Sequence, residues 1–334
     1  MKNIKVGFIK CTVGIISLLF MACGTEKKES KPINETNDKP IHIVFVTGDE
    51  EYRSEESMPM LARLAKRELG AKVTVCYALD STGIIDPNRT DHIAGLEALE
   101  TADVMVMFTR FRNLPDHERK FITNYANSGK PMVGFRTSTH AFMYKNDSIL
   151  AETYNNKWPT EVFGQQWITH HGHFDDGKFP VTKVTSIAGE ENNPILKGFK
   201  PIDAYSWLYH VDGGDWKLHG DSKPILEGHS TKSQHEMDGN LDKFPLTNPV
   251  AWTKSFTGES GISARVFFTT LGHPYDFKLE EVRKIAVHGI FWALGKENQI
   301  PENGVNVDLD TPYEPNNSGF GMRYKQNMKP TPIN

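Results

Sequence analysis

Side chains able to do acid–base chemistry gather in four short segments of the 334-residue chain. These are Asp49-Glu50-Glu51-Tyr52-Arg53, Arg110-Phe111-Arg112, Arg136-Thr137-Ser138-Thr139-His140 and Thr270-Leu271-Gly272-His273, with Asp276 just beyond. Glu50, His140 and His273 are the candidate proton carriers, with Glu51 and Asp276 as further carboxylates, because carboxylate and imidazole are common general acids and bases. Arg53, Arg110, Arg112 and Arg136 offer planar donors for hydroxyl, carbonyl or carboxylate groups. Tyr52, Thr137, Thr139 and Asp276 add hydrogen-bonding capacity for a substrate. Ser138 with His140 is a candidate nucleophile–base pair, although Gly-x-Ser-x-Gly is absent and a two-residue spacing within one turn does not establish contact.

A second concentration is Trp167-Ile168-Thr169-His170-His171-Gly172-His173. Imidazole is a common metal ligand, and a catalytic zinc needs three protein ligands with an open fourth position. His170, His171 and His173 are therefore the candidate ligands for a divalent ion, zinc or manganese. In an extended segment adjacent histidines point to opposite faces, so at most one of His170 and His171 shares a face with His173. The other reading is a set of hydrogen-bonded loop histidines, and neither His-Glu-x-x-His nor Cys-x-x-Cys occurs. Trp167 and Trp207, near the four arginines, have the flat apolar faces that sugar rings stack on. Together these residues fit a carbohydrate ligand.

Regular elements must hold these segments. Ile41–Thr47, Val73–Tyr77, Ala102–Phe108 and Pro131–Phe135 are short apolar strands. Helices are expected after the first, with Ser57 as cap and Pro59 in its first turn, and over Pro115–Ser128. Near-continuous apolar strands alternating with helices imply an α/β fold, a mostly parallel sheet covered on both faces. In such a sheet ligands bind beyond the carboxyl ends of strands, where the four polar segments lie. From Ser138 to about Gly261 the pattern loosens, with strand candidates at 180–184, 204–209, 225–228 and 250–253. A strand at 264–270 and a helix at 279–294 follow. The expected organisation is a domain over 41–295 with an extended strap over 296–334.

The N-terminus reads as an export signal. Lys2, Lys5 and Lys10 precede an apolar run from Cys11 to Ala22, too short to span a bilayer. Leu19-Phe20-Met21-Ala22-Cys23-Gly24 resembles the lipobox of bacterial lipoproteins, which implies cleavage after residue 22, lipidation of Cys23 and a polar tether over 23–40. A lipid anchor on the periplasmic side, in the outer membrane, is the expected location. The formal charge of −4 argues against nucleic-acid binding. After removal of the signal and lipidation, Cys76 is the one free thiol, which leaves no disulfide framework.

Gly48-Asp49-Glu50-Glu51-Tyr52-Arg53-Ser54-Glu55-Glu56, Phe111-Arg112-Asn113-Leu114-Pro115, Gly134-Phe135-Arg136-Thr137-Ser138-Thr139-His140-Ala141-Phe142 and Thr269-Thr270-Leu271-Gly272-His273 resemble the ThuA-like (trehalose utilisation) family. The resemblance implies a flavodoxin-like, class I glutamine-amidotransferase-like three-layer fold and a place in sugar metabolism beside sugar oxidoreductases. It departs from the amidotransferases at the turn after Phe135, which carries no cysteine, so glutamine hydrolysis is not expected. The leading expectation is acid–base processing of 3-keto sugars or glycosides, with Arg136 or a metal stabilising an enolate. The alternatives are a non-catalytic sugar-binding lipoprotein and a metal-dependent hydrolase of another ester or glycoside.

Overall fold

The computed structural model describes residues 39–333; Cys23, the signal segment and nearly all of the tether lie outside the described residues. Strands β1 (His42–Gly48), β2 (Lys72–Cys76), β3 (Val104–Thr109) and β4 (Met132–Phe135) alternate with helices α1 (Ser54–Leu69) and α2 (Asp116–Asn127). Strands β5 (Thr182–Ser186), β6 (Ile202–Ala204), β7 (Lys223–Ser230), β8 (Thr247–Thr257) and β9 (Ser263–Thr269) follow, then helix α3 (Glu280–Ala293). All join one sheet in the order β2-β1-β3-β4-β9-β8-β7-β5-β6.

Alternation along the buried strands divides the core between two faces. Ile43 and Phe45 of β1 and Val104, Val106 and Phe108 of β3 pack with α1 and α3. Val44, Val46, Met105 and Met107 pack on the other face with Ile122, Tyr125 and Ala126 of α2. A strand buried on both faces needs apolar residues at every position, which is why these segments lack polar alternation.

The sheet is parallel over only half its width. β2, β1, β3, β4 and β9 run parallel, whereas the pairings of β9 with β8, β8 with β7, β7 with β5 and β5 with β6 are antiparallel. This departs from the mostly parallel expectation, because the short 258–262 connection turns β9 back antiparallel beside β8 without a crossover helix, and the longer 231–246 loop does the same between β7 and β8. The strand expected at 204–209 also ends early, at Ala204, because the amides of Tyr205 and Ser206 donate to Asp276 instead of to a neighbouring strand.

Helix α1 begins at Ser54, three residues before the expected cap, so Pro59 lies inside it. Ser54 Oγ accepts from Gly48 N at 3.1 Å, which closes the β1–α1 turn, and Glu55 and Glu56 complement the helix dipole. Among the described residues no helix is long and apolar enough to cross a membrane.

Candidate active site

The four polar segments emerge at the carboxyl ends of β1, β3, β4 and β9, which lie side by side. Three of their residues, Arg53 (φ 57°), Phe111 (φ 50°) and Arg136 (φ 38°), hold left-handed backbone. For residues with a Cβ this conformation costs about 1–2 kcal/mol each, and such strain clusters at functional sites.

Asp49 builds the first turn. Its Oδ1 accepts from Glu51 N (2.7 Å) and Tyr52 N (2.6 Å), and its Oδ2 accepts from Thr137 Oγ1. That clasp presents Glu50 and Glu51 to two different clefts. One, of about 410 Å³, is lined by Glu51, His173, Trp207, Ser318, Phe320 and Arg323 among others. The second, of about 400 Å³, contains Glu50 and Phe111. Burial pushes Glu51 up to about 7, against the pull of Arg110, whose Nε lies 3.2 Å from Glu51 Oε2. Glu50 is instead gripped by Arg110 and by Arg112 Nη2, the latter at 2.6 Å.

Aromatic rings back the first cleft. Trp207 meets His173 (centroids 4.5 Å) and His170 (6.1 Å), and His140 packs against Trp167 (5.3 Å) and Phe111 (4.9 Å). Trp207 is buried apart from its cleft edge, and its indole Nε1 has no hydrogen-bond partner among the described residues. Burial lowers His140 well below the ordinary imidazole range, helped by Arg110 and Arg136, and lowers His170 to about 3. His173 is lowered as well, by burial and then Arg136. These imidazoles are neutral near pH 7.

Most other expected substrate contacts prove to be the frame of the site. Arg136 is fully buried, with its guanidinium between the rings of Tyr52 (4.3 Å) and Tyr209 (4.4 Å), and it donates to Thr270 O and Tyr52 Oη. Arg112 donates to the carbonyls of Pro87, Arg89 and Arg110 as well as to Glu50. Arg53 donates to the carbonyls of Glu50, Glu51 and Gly319. Thr139 Oγ1 donates to Arg136 O at 3.1 Å. Tyr52, Arg53, Arg112, Arg136, Thr137 and Thr139 are thus held inside the protein, most of their polar groups directed at backbone, at one another or at Asp49 and Glu50.

Ser138 Oγ donates to Met107 O at 2.9 Å and accepts from Thr109 N, with no hydrogen bond to His140. It ties β4 to β3 and is not poised as a nucleophile. Ser138→Ala is therefore expected to cost about 1 kcal/mol of stability with kcat unchanged, readable from urea midpoints and steady-state rates. Cys76 Sγ donates to Gly95 O, and burial pushes its thiol up, away from reactivity.

His273 is also redirected. Its Nδ1 accepts from Tyr275 N at 3.1 Å, so the proton sits on Nε2, which reaches Ser318 Oγ at 3.0 Å. It is fully buried and pins the C-terminal strap instead of facing a ligand. Asp276 is equally enclosed: Oδ1 accepts from Tyr205 N and Ser206 N, and Oδ2 from Ser206 Oγ, Gly272 N and His273 N.

The histidine cluster splits. His170 and His173 meet at 4.3 Å between centroids, whereas His171 turns the other way, its Nδ1 2.7 Å from Ser233 Oγ and its ring against His235. The alternation of an extended segment separates them. Among the described residues no three His, Cys, Asp or Glu side chains converge to hold a metal, so the expected zinc or manganese ligand set does not fit this geometry.

The strap supplies what sequence reasoning missed. Ser318, Gly319, Phe320 and Arg323 form one wall of the first cleft. Gly319 N donates to Glu51 O, its φ is +134°, and a Cβ there would lie 2.6 Å from Arg323. A polar Pro- and Asn-containing tail carries no periodicity that could have signalled this contact.

A buried carboxyl behind the cleft affects stability. Glu55, 3.7 Å from Arg53 Nη1, is pushed up to about 8 by burial, with Arg53 opposing. The folded chain keeps a proton there that the unfolded chain releases above its ordinary value of 4.5. Its contribution to stability is therefore present at low pH and lost as pH rises towards 8. Relative to wild type, Glu55→Gln is expected to gain melting temperature progressively between those limits; a constant difference across the range would refute this.

The profile of the family described as ThuA, trehalose utilisation, matches residues 42–293. Among solved structures, a thua-like protein of Parabacteroides merdae ATCC 43184 aligns at 16% identity with TM-score 0.48, over 86% of this chain and 100% of the other. A thua-like protein of Bacteroides uniformis ATCC 8492 aligns at 14% identity with TM-score 0.47, over 79% and 95%. No protein with a curated function matches the chain.

Proposed function

Since the chain belongs to the ThuA, trehalose utilisation, family, we propose that it processes a 3-keto sugar or glycoside in the cleft beside Glu51 by acid–base chemistry. The observation that carries this reading is the Glu51 carboxyl, held at about 7 and facing a cleft walled by tryptophan, histidine and phenylalanine, where the other carboxylate, Asp176, is paired with Arg323. Neither Ser138 nor Cys76 is available as a nucleophile. Glu50, gripped by two arginines, opens on the other cleft, and the second carboxylate of the Glu51 cleft, Asp176, is paired with Arg323 at 3.3 Å. One base of this strength suffices where the substrate supplies its own acidic C–H, as a ketone does at the adjacent carbon.

In this reading Glu51 takes the proton from C2, next to the C3 carbonyl, and Arg110 offers positive charge to the developing enolate. The electron pair then forms the C1–C2 double bond as the C1–oxygen bond breaks. The leaving oxygen takes a proton from solvent or from Glu51, and addition of water across the double bond completes a net hydrolysis. Trp207 contributes its exposed edge to the cleft wall. The keto group requires a separate sugar oxidoreductase to make it. Lipidation at Cys23 and a periplasmic, outer-membrane location belong to the same proposal.

The test is incubation of purified protein with a 3-keto glycoside and with the unoxidised glycoside, following release of the leaving group. Turnover of the keto compound alone supports the reading. Equal turnover of both, or binding without product, overturns it, and the latter favours a sugar-binding lipoprotein.

A further inference from the structure

The second cleft lies beside the first and has no role in the chemistry just described. Glu50, Thr90, Phe111, Asn113, Lys145 and Asn146 line its 400 Å³. Arg110 separates the two spaces. Its guanidinium carbon lies 4.3 Å from the centroid of Phe111, in the second cleft, and 5.0 Å from that of Phe320, in the first. The divider is thus two aromatic rings with one cation between them, less than 10 Å from centroid to centroid by addition of those distances. A glycoside of two or more rings, taken end to end, is long enough to lie across this divider.

The lining chemistry is that of a polyol site, with a carboxylate and an ammonium beside two amides. The side chains of Asn113, Lys145 and Asn146 are exposed and, among the described residues, have no hydrogen-bond or ion-pair partner. Two amides and an ammonium supply donors and acceptors for hydroxyls, and Phe111 offers its ring as a floor. Phe111 is held there by left-handed backbone (φ 50°), its amide donating to His140 O at 2.9 Å. Arg112 locks Glu50 from behind, so the carboxylate edge of this cleft is fixed before a ligand arrives.

We infer that this cleft is a second sugar subsite, which receives the leaving portion of a glycoside whose oxidised ring occupies the Glu51 cleft. The inference rests on the proposed function, and it narrows the substrate class to molecules of at least two rings. It also assigns Asn113 and Lys145 as specificity-determining residues that touch the leaving group and not the reacting carbons.

Kinetics on the full chain with a 3-keto disaccharide and the corresponding methyl 3-keto glycoside test it. Asn113→Ala combined with Lys145→Ala changes two exposed side chains with no internal partners, so the fold is preserved. The expected result is a loss of about tenfold in kcat/KM for the disaccharide, carried by KM and equivalent to about 1.4 kcal/mol, with the methyl glycoside changed by less than about twofold. An equal loss on both substrates, or none on either, overturns the subsite. So does wild-type protein that turns over the methyl glycoside as efficiently as the disaccharide, and in that case the functional reading stands. If wild type turns over neither, the functional reading falls and the subsite with it.

Discussion

Glu51→Gln is expected to lower turnover of a 3-keto glycoside by about a hundredfold to ten-thousandfold, the range general-base catalysis contributes. Glutamine keeps the size and the hydrogen-bonding oxygen, so KM should change little and the loss should fall on kcat. The pH profile gives an independent readout. A base must be ionised to act, and burial holds Glu51 at about 7, so wild-type kcat/KM should rise through about pH 7 and level off above it. Residual activity in Glu51→Gln should lack that step. A variant with wild-type kcat, or a profile unchanged by the substitution, would remove Glu51 from the chemistry. Glu50→Gln differs in kind: it takes the carboxylate from buried Arg112 and one of the two from Arg110, so its first effect should be on stability.

The largest loss of stability is expected from Asp276→Ala. Its carboxylate accepts four backbone amides and one hydroxyl at a fully buried position between the Gly272 turn and the Tyr205–Ser206 segment. Burial pushes its carboxyl upward, and the Ser206, Gly272 and Tyr205 donors work against that. Deleting the side chain leaves buried N–H groups unsatisfied, each costing about 1–3 kcal/mol, so a total of about 4 kcal/mol or more is expected. Urea denaturation measures it. A loss near 1 kcal/mol would mean that water replaces the carboxylate and that the clasp is dispensable. Because Trp207 follows Ser206 directly, partial retention of fold with weakened ligand binding is the expected behaviour of the milder Asp276→Asn.

The parallel half of the sheet was legible because its physics is local. Ile43–Val46 and Val104–Phe108 must be apolar at every position to sit between two helical layers, and that leaves an unbroken hydrophobic run in the chain. The antiparallel half was less so: the chain at 205–209 has strand-like composition, but its first two amides, of Tyr205 and Ser206, go to Asp276, a residue about 70 positions away. Helix α1 starts at Ser54 because Ser54 closes the turn onto Gly48, which outweighs the local capping preference of Ser57.

Location and chemistry separated in the same way. That polar residues at the ends of β1, β3, β4 and β9 assemble at one edge follows from the parallel strand rule and needed no coordinates. Which of them face a ligand did not follow. Arg53, Arg112, Arg136, Thr137, His273 and Asp276 are the same residue types that bind substrates, yet they are buried, and most of their donors and acceptors are taken up by carbonyls, amides, hydroxyls and the carboxylates of Asp49 and Glu50. Glu50 and Glu51 are chemically identical neighbours in sequence; only the two arginines on one and the desolvated cleft around the other distinguish them.

The amino-acid sequence by itself therefore determined the family, the α/β class, the edge of the sheet where the site lies and the absence of a cysteine in the strand-to-helix turn. Each of these depends on residue type and short-range order. The tertiary structure alone decided that Glu51 is the carboxyl raised by burial in the first cleft, that the histidine cluster divides, and that the strap around Phe320 walls that cleft. Burial, charge pairing and contact between distant segments set those outcomes, and none of the three has a local signature in the chain.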